Sequence, residues 1–120
     1  MHQAKKNNSF WSEISQLVNH NPIIIDRPKG GVHPRYPRVI YPFDYGYLEN
    51  TTSGDSGGID IWLGSVKSKT LTGILCTFDT LKKDAEIKLL IGCTKEDVEL
   101  IQNFHSEMHT LFIPNPMVDS

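Results

Sequence analysis

Four aspartates, Asp55, Asp60, Asp79 and Asp84, stand at the ends of segments that read as strands. Upstream, one short segment carries Arg27, Lys29, His33, Arg35 and Arg38 with no acid among them. Hard divalent cations such as Mg²⁺ seek carboxylate oxygens and keep several of their waters. Arg and Lys supply positive charge and N–H donors for phosphate oxygens. Metal ions about 3.5–4 Å apart lower the pKa of a bound water and hold both ends of an in-line phosphoryl displacement. The charge order therefore suits a site for phosphate together with metal. Asp79 and Asp84 bracket Thr-Leu-Lys-Lys at a strand-to-strand turn. With Asp84 opening the next strand, the period of two puts Asp84, Glu86 and Lys88 on its non-core face.

Each feature also has a plainer reading. An Asp beside Gly or Ser, as in "SGDSGGID", is most often a turn former. The run Tyr41, Tyr45 and Tyr47 suits strand packing, and a basic loop is usually solvated surface. Charge pattern alone favours these plainer readings.

The elements that must position the residues are legible as periodicities. "SFWSEISQLVNH" (9–20) predicts a short amphipathic helix with Ser9 as N-cap and Phe10, Ile14, Leu17 and Val18 on one face. Asn21-Pro22 ends it and "PIIID" opens a strand. Residues 27–38, with three prolines and two glycines, form a loop that leads through "VIYP" to the aromatic segment. In "GIDIWLG", Ile59, Ile61 and Leu63 alternate with Asp60 and Trp62. "LTGILCTFD" predicts a strand buried on both faces. "AEIKLLIG" sets Ile87, Leu89 and Ile91 against Glu86 and Lys88. Thr94-Lys95-Glu96-Asp97 has the capping-box pattern and opens a helix whose stripe is Val98, Ile101, Phe104 and Met108. "LFIPNP" adds a last short strand. Helix, strands and helix with short spacings predict a small, mainly antiparallel sheet or barrel flanked by helices.

The chain has 120 residues, enough for one domain and a real core without staples. Its net charge of −2 opposes a general nucleic-acid or anionic-membrane binder. A small barrel binding single strands, with the tyrosines as stacking platforms beside the basic loop, is the reading this balance opposes. Cys76 and Cys93 form no C-x-x-C and read as buried, reduced thiols. No signal-peptide core and no membrane-length apolar run is legible, so a cytoplasmic protein is the expectation.

Taken in order, the segments resemble the soluble inorganic pyrophosphatases of the first family over roughly residues 22–92. "IIIDRPKGG" is similar to the family's opening strand and E-I-P-K-G-S run, with Asp26 in place of Glu. "PRYP" falls at its Lys-Tyr-Glu triplet, where Arg35 keeps the charge and Pro37 loses the acid. "YPFDYGY" resembles Y-P-x-N-Y-G-[FY], with Asp44 for Asn. "SGDSGGID" is similar to D-G-D-P-x-D, with Ser53 for the first Asp, Ser56 for Pro, and two extra residues before Asp60. "DTLKKDA" matches a D-x4-D-A pair. The lysine two residues past that pair is Glu86 here, with Lys88 next on the same face. The family's Tyr-Lys pair on the last helix has no counterpart, and the chain is shorter than a full-length member.

The resemblance implies a single domain over residues 1–120, a small closed or partly open antiparallel β-barrel with an N-terminal and a C-terminal helix, and Mg²⁺-dependent hydrolysis of pyrophosphate or a related phosphoanhydride by a metal-activated water. It implies Asp55, Asp60, Asp79 and Asp84 as metal ligands, and Lys29, Arg35, Arg38, Tyr45 and Lys88 as phosphate ligands. Asp60, Tyr45 and Lys88 are the implied catalytic residues, and a homo-oligomer is the implied assembly. The altered signature admits an inactive relative that keeps the barrel and an anion or metal site for binding or assembly.

Overall fold

The computed structural model describes residues 2–118, with side-chain surroundings from residue 8 onward. In chain order the elements are α1 (His2–His20), β1 (Ile23–Arg27), β2 (Asp44–Leu48), β3 (Ile59–Leu63), β4 (Leu71–Asp79), β5 (Asp84–Ile91), α2 (Lys95–Phe104) and β6 (His109–Pro114). The strands form one sheet in the order β1-β2-β3-β5-β4-β6. Every neighbouring pair is antiparallel except β3 and β5, which run parallel. The sheet is mainly antiparallel, as expected, but open: β1 and β6 end the strand order and do not pair with each other. The fold is a small α+β sheet, not a closed barrel.

Alternation along the strands divides the core in two. Ile61, Ile74, Leu89 and Ile91 point to one face and pack under Trp11 and Val18 of α1. Trp62, Leu75 and Leu90 point to the other and pack under Val98 and Ile101 of α2. Each helix thus covers its own side of the sheet, and β4 is buried on both faces from Gly73 to Leu75. Burying such side chains stabilises by about 1.5–3 kcal/mol apiece.

Two boundaries differ from expectation. Helix α1 begins at His2, so Ser9 lies inside it and is not its N-cap. The buried stripe uses Trp11, while Phe10 is 44% exposed. Helix α2 stops at Phe104, which leaves Met108 in the following turn. The capping box is present: Thr94 accepts from the Asp97 amide, and the Asp97 carboxylate accepts from the Thr94 amide. Asp97 also accepts from the Ser65 amide and hydroxyl at 2.8 and 2.7 Å. One carboxylate thereby ties the start of α2 to the segment after β3.

Gly46 is required where it stands in β2. A Cβ there would lie 1.8 Å from the Ile24 carbonyl oxygen of β1. "VIYP" forms no strand; Ile40 makes only an isolated bridge to Val32. The two sheet edges are built differently. β1 carries exposed Asp26 and Arg27 and an irregular register between Ile25 and Arg27. β6, "HTLFIP", contains no Asp, Glu, Lys or Arg. Both cysteines are free, and burial pushes the Cys93 thiol up to about 12.

Candidate functional site

The parallel pairing of β3 with β5 builds the site. Ile61 is level with Leu89, so one residue earlier Asp60 and Lys88 are neighbours on the α2 face of the sheet. Tyr45 on β2 is level with Trp62 and shares that face. The Lys88 side chain is 6% exposed. Its ammonium donates to the Tyr45 hydroxyl at 2.8 Å, to Asp60 Oδ2 at 3.3 Å and to Glu86 Oε1 at 3.5 Å. Three acceptors match the three protons of an ammonium. A buried lysine without such partners would lose its charge to desolvation. Burial, reinforced by the negative charge of Asp60, holds the Tyr45 phenol neutral far above its ordinary range.

An aromatic layer backs this network. Tyr45 and Trp62 meet edge to face at 4.7 Å, and Trp62 also contacts Phe104 and His105. The Trp62 indole donates to His105 Nε2 at 3.3 Å. Burial, with Lys88 adding repulsion, pushes His105 down to about 4. At neutral pH its imidazole is uncharged, with the proton on Nδ1 as that hydrogen bond requires.

A cleft of about 840 Å³ opens beside the network, where β5 continues past the start of β3. Asp55, Asp60, Asp84 and Glu86 line its polar part. Phe10 of α1 and Ile59, Ile87 and Leu111 of the sheet line its apolar part.

The structure divides the residues singled out in the sequence. Tyr45, Asp60 and Lys88 come together in one network. Asp55 and Asp84 line the same cleft without joining it. Asp55 is fully exposed and Oδ1 accepts from the Ser53 hydroxyl and the Gly57 amide, which together hold its carboxyl below the usual range. Asp79 Oδ1 accepts from the Leu81 and Lys82 amides at 2.9 and 3.1 Å, which makes it the hairpin's turn former. Asp84 faces Asp79 across that hairpin. Lys29, Arg35 and Arg38 stay on the exposed β1–β2 loop; like Tyr45 and Lys88, they are not among the cleft's lining residues. The Lys29 amide donates to Asp44 Oδ1 at 2.7 Å, so Asp44 shapes the loop. Glu86, Trp62 and His105 are members that charge order does not single out. The strand period does place Glu86 on the face of Lys88.

Among the described residues, no group of three His, Cys, Asp or Glu side chains is placed to hold a metal ion. Asp60 and Glu86 both turn to Lys88, while Asp55 and Asp79 each give an oxygen to turn donors.

The fold and site define an open α+β sheet with a lysine-centred carboxylate cluster at the rim of a cleft. No family model matches the chain, and no curated protein matches it. A solved structure of an inorganic phosphatase from Anaplasma phagocytophilum is similar at 14% identity and a TM-score of 0.48, over 77% of this chain and 81% of that one. At that score the assignment of fold rests on the sheet and helices themselves. Among the described residues, no helix is long and apolar enough to cross a membrane.

Proposed function

We propose that the chain binds pyrophosphate or a related phosphoanhydride as its magnesium complex in this cleft and hydrolyses it. The observation that supports the reading is the buried Lys88 ammonium between Tyr45, Asp60 and Glu86. A bare polyanion would meet the four carboxylates of the cleft and be repelled; a magnesium complex brings its own counter-charge. Magnesium here is part of the substrate and keeps its remaining waters.

In this reading a phosphate oxygen takes the place of Glu86 on Lys88, the longest of the three contacts at 3.5 Å. Tyr45, held as a neutral phenol, positions the ammonium. Asp60 accepts the proton of the attacking water as the new P–O bond forms and the bridging P–O bond breaks, releasing two phosphates.

The second reading is binding without turnover. It is favoured by the use of Asp55 and Asp79 as turn formers and, among the described residues, by the lack of three His, Cys, Asp or Glu side chains grouped to hold a metal ion. Phosphate release from pyrophosphate, with and without Mg²⁺, separates the two when run beside Asp60→Asn. Magnesium-dependent release that is lost in Asp60→Asn supports the hydrolase. A magnesium-pyrophosphate stability shift without release supports the binding protein, and neither effect removes both readings.

A further inference from the structure

Strand β6 ends the sheet, and its register on β4 fixes which of its backbone groups are left over. The Asn115 amide donates to the Thr72 carbonyl at 2.9 Å, just beyond the level pair Gly73 and Pro114. In an antiparallel ladder such a bond flanks a pair that exchanges no hydrogen bond of its own, and these pairs alternate with bonded ones. Pro114, Phe112 and Thr110 are therefore level with Gly73, Leu75 and Thr77 without bonding to them, and they turn their backbone groups outward. Ile113, Leu111 and His109 turn theirs to β4. The free edge thus carries the N–H groups of Thr110 and Phe112 and the carbonyls of Thr110, Phe112 and Pro114. Among the described residues nothing accepts from the Thr110 or Phe112 amide on that side.

The side chains carry a second fit. Leu111 and Ile113 are level with Cys76 and Ile74 on the α1 face and are 60% and 37% exposed. Phe112 lies on the α2 face, and the strand holds no Asp, Glu, Lys or Arg. A two-fold axis through Phe112 lays this strand antiparallel to another like itself. Phe112 then meets Phe112, and the two exchange N–H···O bonds. Thr110 donates to the Pro114 carbonyl, and Pro114 is asked only to accept, which is all its ring allows. Leu111 covers Ile113, and the reverse holds across the axis. Every outward N–H is used, apolar side chains oppose one another, and no like charges are brought together.

We infer that the chain forms a symmetric dimer with a second copy of itself by antiparallel pairing of β6 with β6. Edge pairing draws affinity from main-chain hydrogen bonds and specificity from alternate side chains, and here the strand is its own complement in both. The inference does not rest on the proposed hydrolysis. Leu111 also lines the cleft, so Ile113 of the second copy comes to its rim.

Sedimentation velocity over roughly a hundredfold range of concentration, with amide hydrogen exchange read by NMR, tests it on the full chain, Leu111→Lys and Thr110→Pro. The expected result is a mass that doubles as concentration rises, with exchange of the Thr110 and Phe112 amides slowing about tenfold or more in step. The Leu111 and Ile113 amides, bonded to β4, stay protected throughout and report an intact sheet. Leu111→Lys sets a charge against Ile113 of the second copy. Thr110→Pro removes an outward donor and leaves the β4 ladder its bonds. Each should give a folded monomer. A monomer at every concentration overturns the inference. So does a dimer whose Thr110 and Phe112 amides exchange as freely as in the monomer, or one that survives both substitutions, since either uses another surface.

Discussion

Tyr45 and Lys88 meet at 2.8 Å, hydroxyl to ammonium, although 43 residues separate them in the chain. The contact exists because β5 inserts between β3 and β4, so that a strand made late is delivered beside the product of an early one. The Lys88 ammonium is buried under the α2 side of the sheet while Asp60 and Glu86 stay partly exposed, and the network's properties follow from that placement.

Tyr45 gives a test at high pH. Its folded pKa is raised, so its share of stability is complete below about pH 10, where both states keep the proton. Above that, the unfolded chain ionises first and stability falls by about 1.4 kcal/mol per pH unit. Tyr45→Phe should lack this slope, as urea unfolding at pH 10 and 11 would reveal. Phenolate absorbance from Tyr45, taken as the difference between the two proteins, should appear only on unfolding.

His105 acts at the acid end. Its folded value of about 4 lies below the ordinary 6.5, so the unfolded chain binds the proton first as pH drops. Stability is therefore lost between pH 6.5 and 4, by roughly 3 kcal/mol at the lower limit. His105→Gln can still accept from Trp62 and should flatten that limb. A His105 C2 proton resonance titrating near 6.5 in the folded protein would contradict the assignment.

Lys88→Met keeps the buried stem and removes the charge. Asp60 and Glu86, whose side chains are 27% and 35% exposed, then face one another without a counter-ion. A loss of about 1–3 kcal/mol is expected in chemical denaturation at pH 7. Adding Asp60→Asn should recover part of it; strictly additive losses would show that the three groups do not act together.

Asp97 is 5% exposed, and its carboxylate accepts from three donors, the Ser65 amide and hydroxyl and the Thr94 amide. Asp97→Ala removes the capping box and orphans the Ser65 amide. It should cost about 2–3 kcal/mol in urea unfolding. Asp97→Asn retains an acceptor and should cost less.

How far the sequence could be read depended on the range of the interactions. Alternation placed Asp60 with Trp62 and Glu86 with Lys88, because the pleat is local. The capping box at Thr94 was equally local. That β3 and β5 lie side by side and parallel was not legible, since no periodicity states which strands pair. The Lys88–Asp60 contact was hidden with it. The turn roles of Asp55 and Asp79 were present as the ordinary preference of Asp beside Gly, Ser and Thr. Helix α1 was read too short because the polar segment before Ser9 lacks an apolar stripe, and helical backbone does not need one.

The unlike edges of the sheet set a limit on growth. Asp26, Arg27 and the broken register of β1 discourage a further strand on that side, whereas the uncharged β6 offers its backbone groups freely. A chain with two receptive edges can lengthen without end; one with a single receptive edge can join one other copy and then has nothing left to offer. If copies of the chain join edge to edge, this asymmetry limits them to a pair.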